Sequence, residues 1–122
     1  MKRKVLIAED EDAILALIEE TVGRISGIEL LFARSGDEAL EVARRENPDV
    51  AILDILMPGR SGYEVCQSLR ADTATSHVRV IMLSGLYHEV AIRKALDGVG
   101  ADAYLCKPWS PAALVKTLEK FL

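Results

Sequence analysis

Cysteine, proline and aromatic residues are all scarce in this chain. Among its 122 residues are two cysteines and four prolines, and aromatics make up 5%. Cys66 and Cys106 form no metal-type spacing, which argues against a zinc site and against a disulfide-stapled secreted scaffold. Both read as buried thiols of a protein kept in a reducing compartment. There is no Ser/Pro-rich linker and no low-complexity segment. Long apolar runs are missing too. The opening "MKRKVLIAEDED" has a basic start, but acids interrupt its apolar stretch after Val5 to Ala8, too soon for a secretory leader. No run approaches the roughly 20 apolar residues that span a bilayer. An excess of positive charge is absent as well: the net charge of -4 argues against direct nucleic-acid binding by this chain. The expectation is a cytoplasmic, unanchored protein.

What is present is a core. Half of the residues are hydrophobic and 28% are charged, the balance of an ordinary globular protein of one domain, here expected over residues 1–122. Short apolar runs at 5–8, 28–33, 50–53, 78–83 and 103–106 read as strands. Amphipathic segments alternate with them. Ile14, Leu17, Ile18, Val22 and Ile25 recur at helical spacing, and Ala39, Leu40 and Ala43 do so more weakly. So do Val65, Cys66 and Leu69, and then Val90, Ala91 and Ala95. The last helix is the best signed, with Ser110 as N-cap, Pro111 at its first position, and Leu114, Leu118 and Phe121 on one stripe. Strand-helix alternation implies βαβ crossovers, hence an α/β fold in which helices cover both faces of a parallel sheet. The near-continuous apolarity of the first, third and fourth runs fits strands buried on both sides.

In such a sheet the residues that follow the strands collect along one edge, where ligands bind at the point of reversed strand order. After the first strand comes "EDED", Glu9 to Asp12; after the third, Asp54; after the fourth, Ser84-Gly85; after the fifth, Lys107-Pro108. Asp54 lies between apolar residues, where a carboxylate is costly unless its charge is used. Clustered oxygen donors suit Mg²⁺, which binds through one or two carboxylates and a substrate phosphate. A carboxylate can also attack phosphorus to give an aspartyl phosphate, a reaction accelerated largely by positioning and positive charge.

The acidic pair Glu9-Asp10, "LDILMPGRSG" around Asp54, Ser84-Gly85 and "GADAYLCKP" together resemble the receiver domain of response regulators in two-component signalling, of the chemotaxis-regulator type. The resemblance covers the whole chain and implies a flavodoxin-like (βα)5 fold with strand order 2-1-3-4-5. It implies that Asp54 is the phosphoacceptor, supplied by a histidine kinase or a phosphotransfer protein. Asp10 and Asp54 would ligate Mg²⁺ with the Leu56 backbone carbonyl, and Glu9 would act through water. Ser84 and Lys107 would bind the phosphoryl group, Tyr104 would be an aromatic switch, and the Lys107–Pro108 bond would be cis. Output would be a downstream protein partner or a homodimer on the face of the fourth helix, fifth strand and fifth helix, with Arg93, Lys94, Lys116 and Lys120 decorating it. Leu56 and Leu86 occupy positions where polar side chains can orient a hydrolytic water, so their apolarity implies a long-lived phosphoprotein. It would assist its own phosphorylation and dephosphorylation without turning over an external substrate.

Simpler readings exist for each residue alone. Glu11 and Asp12 read as complements to a helix N-terminus, and Glu9 and Asp10 fit that role equally well in isolation. Ser84-Gly85 and Lys107-Pro108 could be turns, and Tyr104 a core aromatic. His77, His88 and Trp109 have no expected chemistry. A flavin-binding protein of the same fold would need a phosphate-cradling loop where "EDED" stands. An aspartyl-phosphate phosphatase would need an acid where Leu56 stands. A receiver-like module used only for interaction would not need the complete set of acids, hydroxyl and lysine. The 122 residues hold no second domain, which fits either a stand-alone receiver or the receiver of a larger regulator.

Overall fold

The computed structural model describes residues 2–85 and 89–122. Its five strands are β1 (Arg3–Ala8), β2 (Ile28–Ala33), β3 (Val50–Asp54), β4 (Arg79–Ser84) and β5 (Ala103–Cys106). All pair in parallel, in the order β2-β1-β3-β4-β5. Between and after them run α1 (Asp12–Val22), α2 (Gly36–Glu46), α3 (Gly62–Ala71), α4 (Glu89–Arg93) and α5 (Pro111–Glu119). A π-helical turn at Lys94–Gly98 continues α4. The α/β architecture and strand order are those expected of the flavodoxin-like fold.

Side chains of a strand alternate between faces, so each buried strand feeds two cores. Leu6, Ala8, Ala51, Leu53, Val80 and Met82 point to one side, where Leu40 of α2, Leu69 of α3 and Ala95 of the π turn close over them. Val5, Ile7, Val50, Ile52, Ile81 and Leu83 point to the other, beneath α1 and α5. Every residue of β3 is buried, as its unbroken apolarity requires. β2 is an edge strand, and its Phe32 is 37% exposed.

Serines start three helices. Ser35, Ser61 and Ser110 accept from the backbone N–H three residues on, and Ser61 forms a reciprocal box with Glu64. Two helical faces differ from the pattern expected. In α1 the inward residues are Leu15, Ile18 and Val22, whereas Leu17 is 42% exposed and Ile25 falls beyond the helix end. The run from Ala13 to Ile18 is wider than one face of a helix turning about 100° per residue, so its flank reaches solvent. In α4, Ala91 and Ala95 are buried but Val90 is 75% exposed. Phe121 likewise lies past the end of α5, half-buried against the α1/α5 core.

The loop after β3 is braced from its side by α2. The Gly36 N–H donates to the Pro58 carbonyl at 3.2 Å, and a Cβ at Gly36 would sit 1.9 Å from the Arg60 carbonyl oxygen. Only glycine permits this approach. Gly36→Ala should therefore destabilise the protein by about 1–3 kcal/mol, the usual penalty of overpacking. Urea unfolding measures it, and an unchanged midpoint would show that the two loops separate freely.

Candidate functional site

The chain leaves β1 toward β2 on one side and resumes at β3 on the other, so the loops after β1 and β3 diverge and leave a crevice. Glu9 and Asp10 follow β1 there, and Asp54 is the last residue of β3. Glu9 is fully buried, Asp54 is 5% exposed, and Asp10 is exposed at the mouth. One carboxylate oxygen from each of the three lies within 4.8 Å of the others. Ser84 ends β4 along the same edge and is buried. Its carbonyl accepts the Lys107 N–H at 2.7 Å, which ties the segment after β5 to the end of β4.

Lys107 joins the acids. Its Nζ donates to Asp54 Oδ2 at 3.0 Å and to Glu9 Oε1 at 3.3 Å. The second oxygen of Glu9 accepts the backbone N–H groups of Asp10 and Glu11 at 3.0 and 3.2 Å. Asp54 Oδ1 accepts the Leu56 N–H at 3.2 Å. Each buried carboxylate is thus oriented by backbone on one oxygen and by the ammonium on the other. The Leu56 side chain is 68% exposed beside them. The peptide bond between Lys107 and Pro108 is cis.

Electrostatics here are unbalanced. Burial, then hydrogen bonding with Asp54, pushes the Glu9 carboxyl up to about 7, while the Glu11 N–H pulls it back; the Asp54 charge raises it further and Lys107 lowers it. Burial works against the Lys107 ammonium, but its hydrogen bond and attraction to Asp54, together with Glu9, outweigh that and hold its pKa above the usual lysine value. Two buried carboxylates and a third at the mouth, against the Lys107 ammonium, leave negative charge along the crevice. Hard oxygen donors in that arrangement fit a divalent cation such as Mg²⁺.

The structure thus brings Glu9, Asp10, Asp54 and Lys107 into one cluster and sets Ser84 at its border. Tyr104 is elsewhere: it is half-buried on β5 and packs toward the α2/α3 side of the sheet. Leu86 and His88 lie outside the described residues. Glu11 caps α1 by backbone alone, and Asp12, first in the helix, pairs with Arg34. Cys66 is buried and Cys106 only half-buried, contrary to the expectation for the second, and neither is in a disulfide. Burial pushes the Cys66 thiol up to about 11. Lys116 lines a hollow together with Thr21 and Arg24. Gly36 and Gly62, which let neighbouring backbone close on the Asp54 loop, were not found from sequence, because a glycine does not announce what approaches it.

Glu9 gives a signed pH dependence. Its folded pKa of about 7 is above the ordinary 4.5, so its contribution to stability is fully present below 4.5. Between those values the folded state keeps a proton that the unfolded chain has lost, and stability falls as pH rises through about 7. In metal-free buffer, Glu9→Gln should flatten the decline in melting temperature across this window relative to wild type. Parallel profiles would place the titration elsewhere.

Comparison with known proteins agrees with this geometry. Residues 5–119 match the response regulator receiver domain family. The chain is 33% identical over its 122 residues to the polar-differentiation response regulator DivK of Brucella ovis, covering 98% of it. It is 45% identical over 121 residues, 99% of the chain, to a probable transcriptional regulator ycf27 of Guillardia theta, but covers only 46% of that protein. The chain spans about half the length of the ycf27 relatives that it matches. Its fold superposes on the chemotaxis protein CheY4 of Vibrio cholerae with a TM-score of 0.90 at 30% identity, over 100% of both chains. A crevice at the strand-order switch, its buried acids and the lysine that bridges them therefore have a family: this chain belongs to the response regulator receiver domains of two-component systems.

Proposed function

We propose that Asp54 accepts a phosphoryl group from the phosphohistidine of a histidine kinase or phosphotransfer protein, and that the modified receiver engages a downstream protein or a second copy of itself. The observation that carries this reading is the Lys107 ammonium bonded to both buried carboxylates, Asp54 at 3.0 Å and Glu9 at 3.3 Å. A receiver retained only for interaction would have no use for so strained a set of charges.

In the transfer, an Asp54 carboxylate oxygen forms a bond to phosphorus as the bond from phosphorus to the donor's imidazole nitrogen breaks. The leaving nitrogen keeps the electron pair. The Leu56 N–H holds one Asp54 oxygen and so fixes the plane of the carboxylate. Lys107, on a flexible stem, can follow charge from the carboxylate to an incoming phosphoryl oxygen, and the Ser84 hydroxyl is assigned to another. Asp10, Asp54 and the Leu56 backbone carbonyl would hold Mg²⁺, with Glu9 acting through water; when bound, the cation neutralises the crowded carboxylates and phosphoryl oxygens. Nothing in the transfer demands a covalent role for any other residue. Ser84 and Tyr104 are the proposed switch pair, biasing a pre-existing equilibrium at the α4/β5/α5 face.

Phosphoryl uptake should require both Asp54 and the cation. Intact mass after treatment with acetyl phosphate and Mg²⁺ should show one added phosphoryl group in wild type. Asp54→Asn, and wild type with chelator, should show none. Equal uptake by the variant would refute the assignment.

Lifetime follows from Leu56. An exposed leucine beside the acceptor cannot orient water, and positioning supplies much of the acceleration in such hydrolysis. After donor removal the wild-type phosphoprotein should decay more slowly than Leu56→Asn. Matching decay rates would contradict this.

A further inference from the structure

Immediately beyond the acceptor loop, Tyr63 reaches from α3 to α4. Its hydroxyl donates to the Ala91 carbonyl at 3.2 Å, and the Lys94 ammonium lies 4.6 Å from the centre of its ring. The residue before it is locked to the acceptor. The Gly62 N–H donates to the Ile55 carbonyl at 2.8 Å, and a Cβ on Gly62 would come within 2.5 Å of the Asp54 carbonyl oxygen. One rigid aromatic side chain therefore connects backbone touching Asp54 with α4.

Few of the described side chains of the α4 segment and its π turn are fully buried. Ala91 and Ala95 supply its fully buried side chains, Ile92 and Leu96 are half-buried, and Val90 is 75% exposed. Two methyl groups bury little apolar area. The helix then widens into a π turn at Lys94–Gly98, a feature frequent at functional sites. Where burial is this small, a hydrogen bond and a cation–π contact add appreciably to what keeps α4 in place. Burial of Tyr63, then the nearby Tyr104, raises the pKa of its hydroxyl.

We infer that Tyr63 is a positioning residue that couples the Asp54 loop to α4, a connection separate from the Ser84 and Tyr104 pair. The inference rests on the proposed phosphorylation of Asp54 for its signal, but the strap itself exists in the unmodified protein. When the acceptor loop shifts, Gly62 carries the first turn of α3 with it, and Tyr63 transmits that shift to Ala91 and Lys94.

Amide exchange on the full chain tests this, read in the peptide spanning residues 91–98 with and without acetyl phosphate and Mg²⁺. In unmodified Tyr63→Phe, which keeps the ring but loses the donor, that peptide should exchange roughly fivefold faster, as expected for one neutral hydrogen bond. The β3 and β4 peptides should not change. Phosphorylation should alter the 91–98 peptide in wild type and leave it unaltered in Tyr63→Phe, although intact mass shows equal phosphoryl uptake. A merely structural tyrosine would leave the phosphorylation-dependent change intact, and that result overturns the coupling, as does a wild-type peptide indifferent to phosphorylation. If Tyr63→Phe loosens the whole sheet, Lys94→Met, which removes only the surface charge, decides on the same readout. If wild type takes up no phosphoryl group, the reading of Asp54 fails separately. The unmodified proteins then decide: local acceleration supports the strap, and unchanged exchange overturns it.

Discussion

A single ammonium between two buried carboxylates is the interaction on which this site depends. Lys107 donates to Asp54 and to Glu9, and Asp10 adds a third acid within 4.8 Å. Burying like charges together is strongly unfavourable unless a cation or a proton relieves it. The molecule uses both: Lys107 supplies the cation, and the raised pKa of Glu9, about 7, signals the proton. A group that brings more positive charge to the crevice would relieve the same stress. That is the physical reason to expect a divalent cation here, and the reason an incoming phosphoryl group would need one.

The fold makes the crowding possible. Parallel strands end together, so residues distant in sequence, Glu9 and Lys107 among them, meet without a loop having to stretch. Two solid cores anchor those ends, with β1, β3 and β4 buried on both faces. Loop backbone is then fastened by close approaches that only glycine allows, at Gly36 against Arg60 and at Gly62 against Asp54. The rigid centre contrasts with α4 and its π turn, where the fully buried side chains among the described residues are Ala91 and Ala95. A site held firmly beside an element held lightly is the arrangement expected of a switch, since small shifts have one direction in which to be expressed.

Much of this was legible in the residues. The five strands were read within a residue or two of their bounds because unbroken apolar runs between amphipathic segments have few other uses. Ser110 and Pro111 marked the start of α5 by cap chemistry alone. The edge rule for parallel sheets then selected Glu9, Asp10, Asp54, Ser84 and Lys107. Less legible were features that depend on what faces a residue. Leu17 and Val90 fit apolar stripes yet lie on helix flanks, because periodicity gives the width of a face only approximately. The complete burial of Glu9 could not be told from its place in an acidic run that also contains the exposed Asp10 and Asp12. Tyr63 and Lys94 are far apart in the chain and join only through the packing of α3 against α4.

The most direct test is carboxyl-carbon NMR of Glu9, followed from pH 5 to 9 with and without Mg²⁺. Without the cation, the Glu9 step should occur near neutral pH, and saturating Mg²⁺ should move that step well down, as the cation replaces the proton in relieving the buried charge. If the Glu9 carboxyl titrates at its ordinary value and ignores Mg²⁺, the crowded-charge account of this site is wrong.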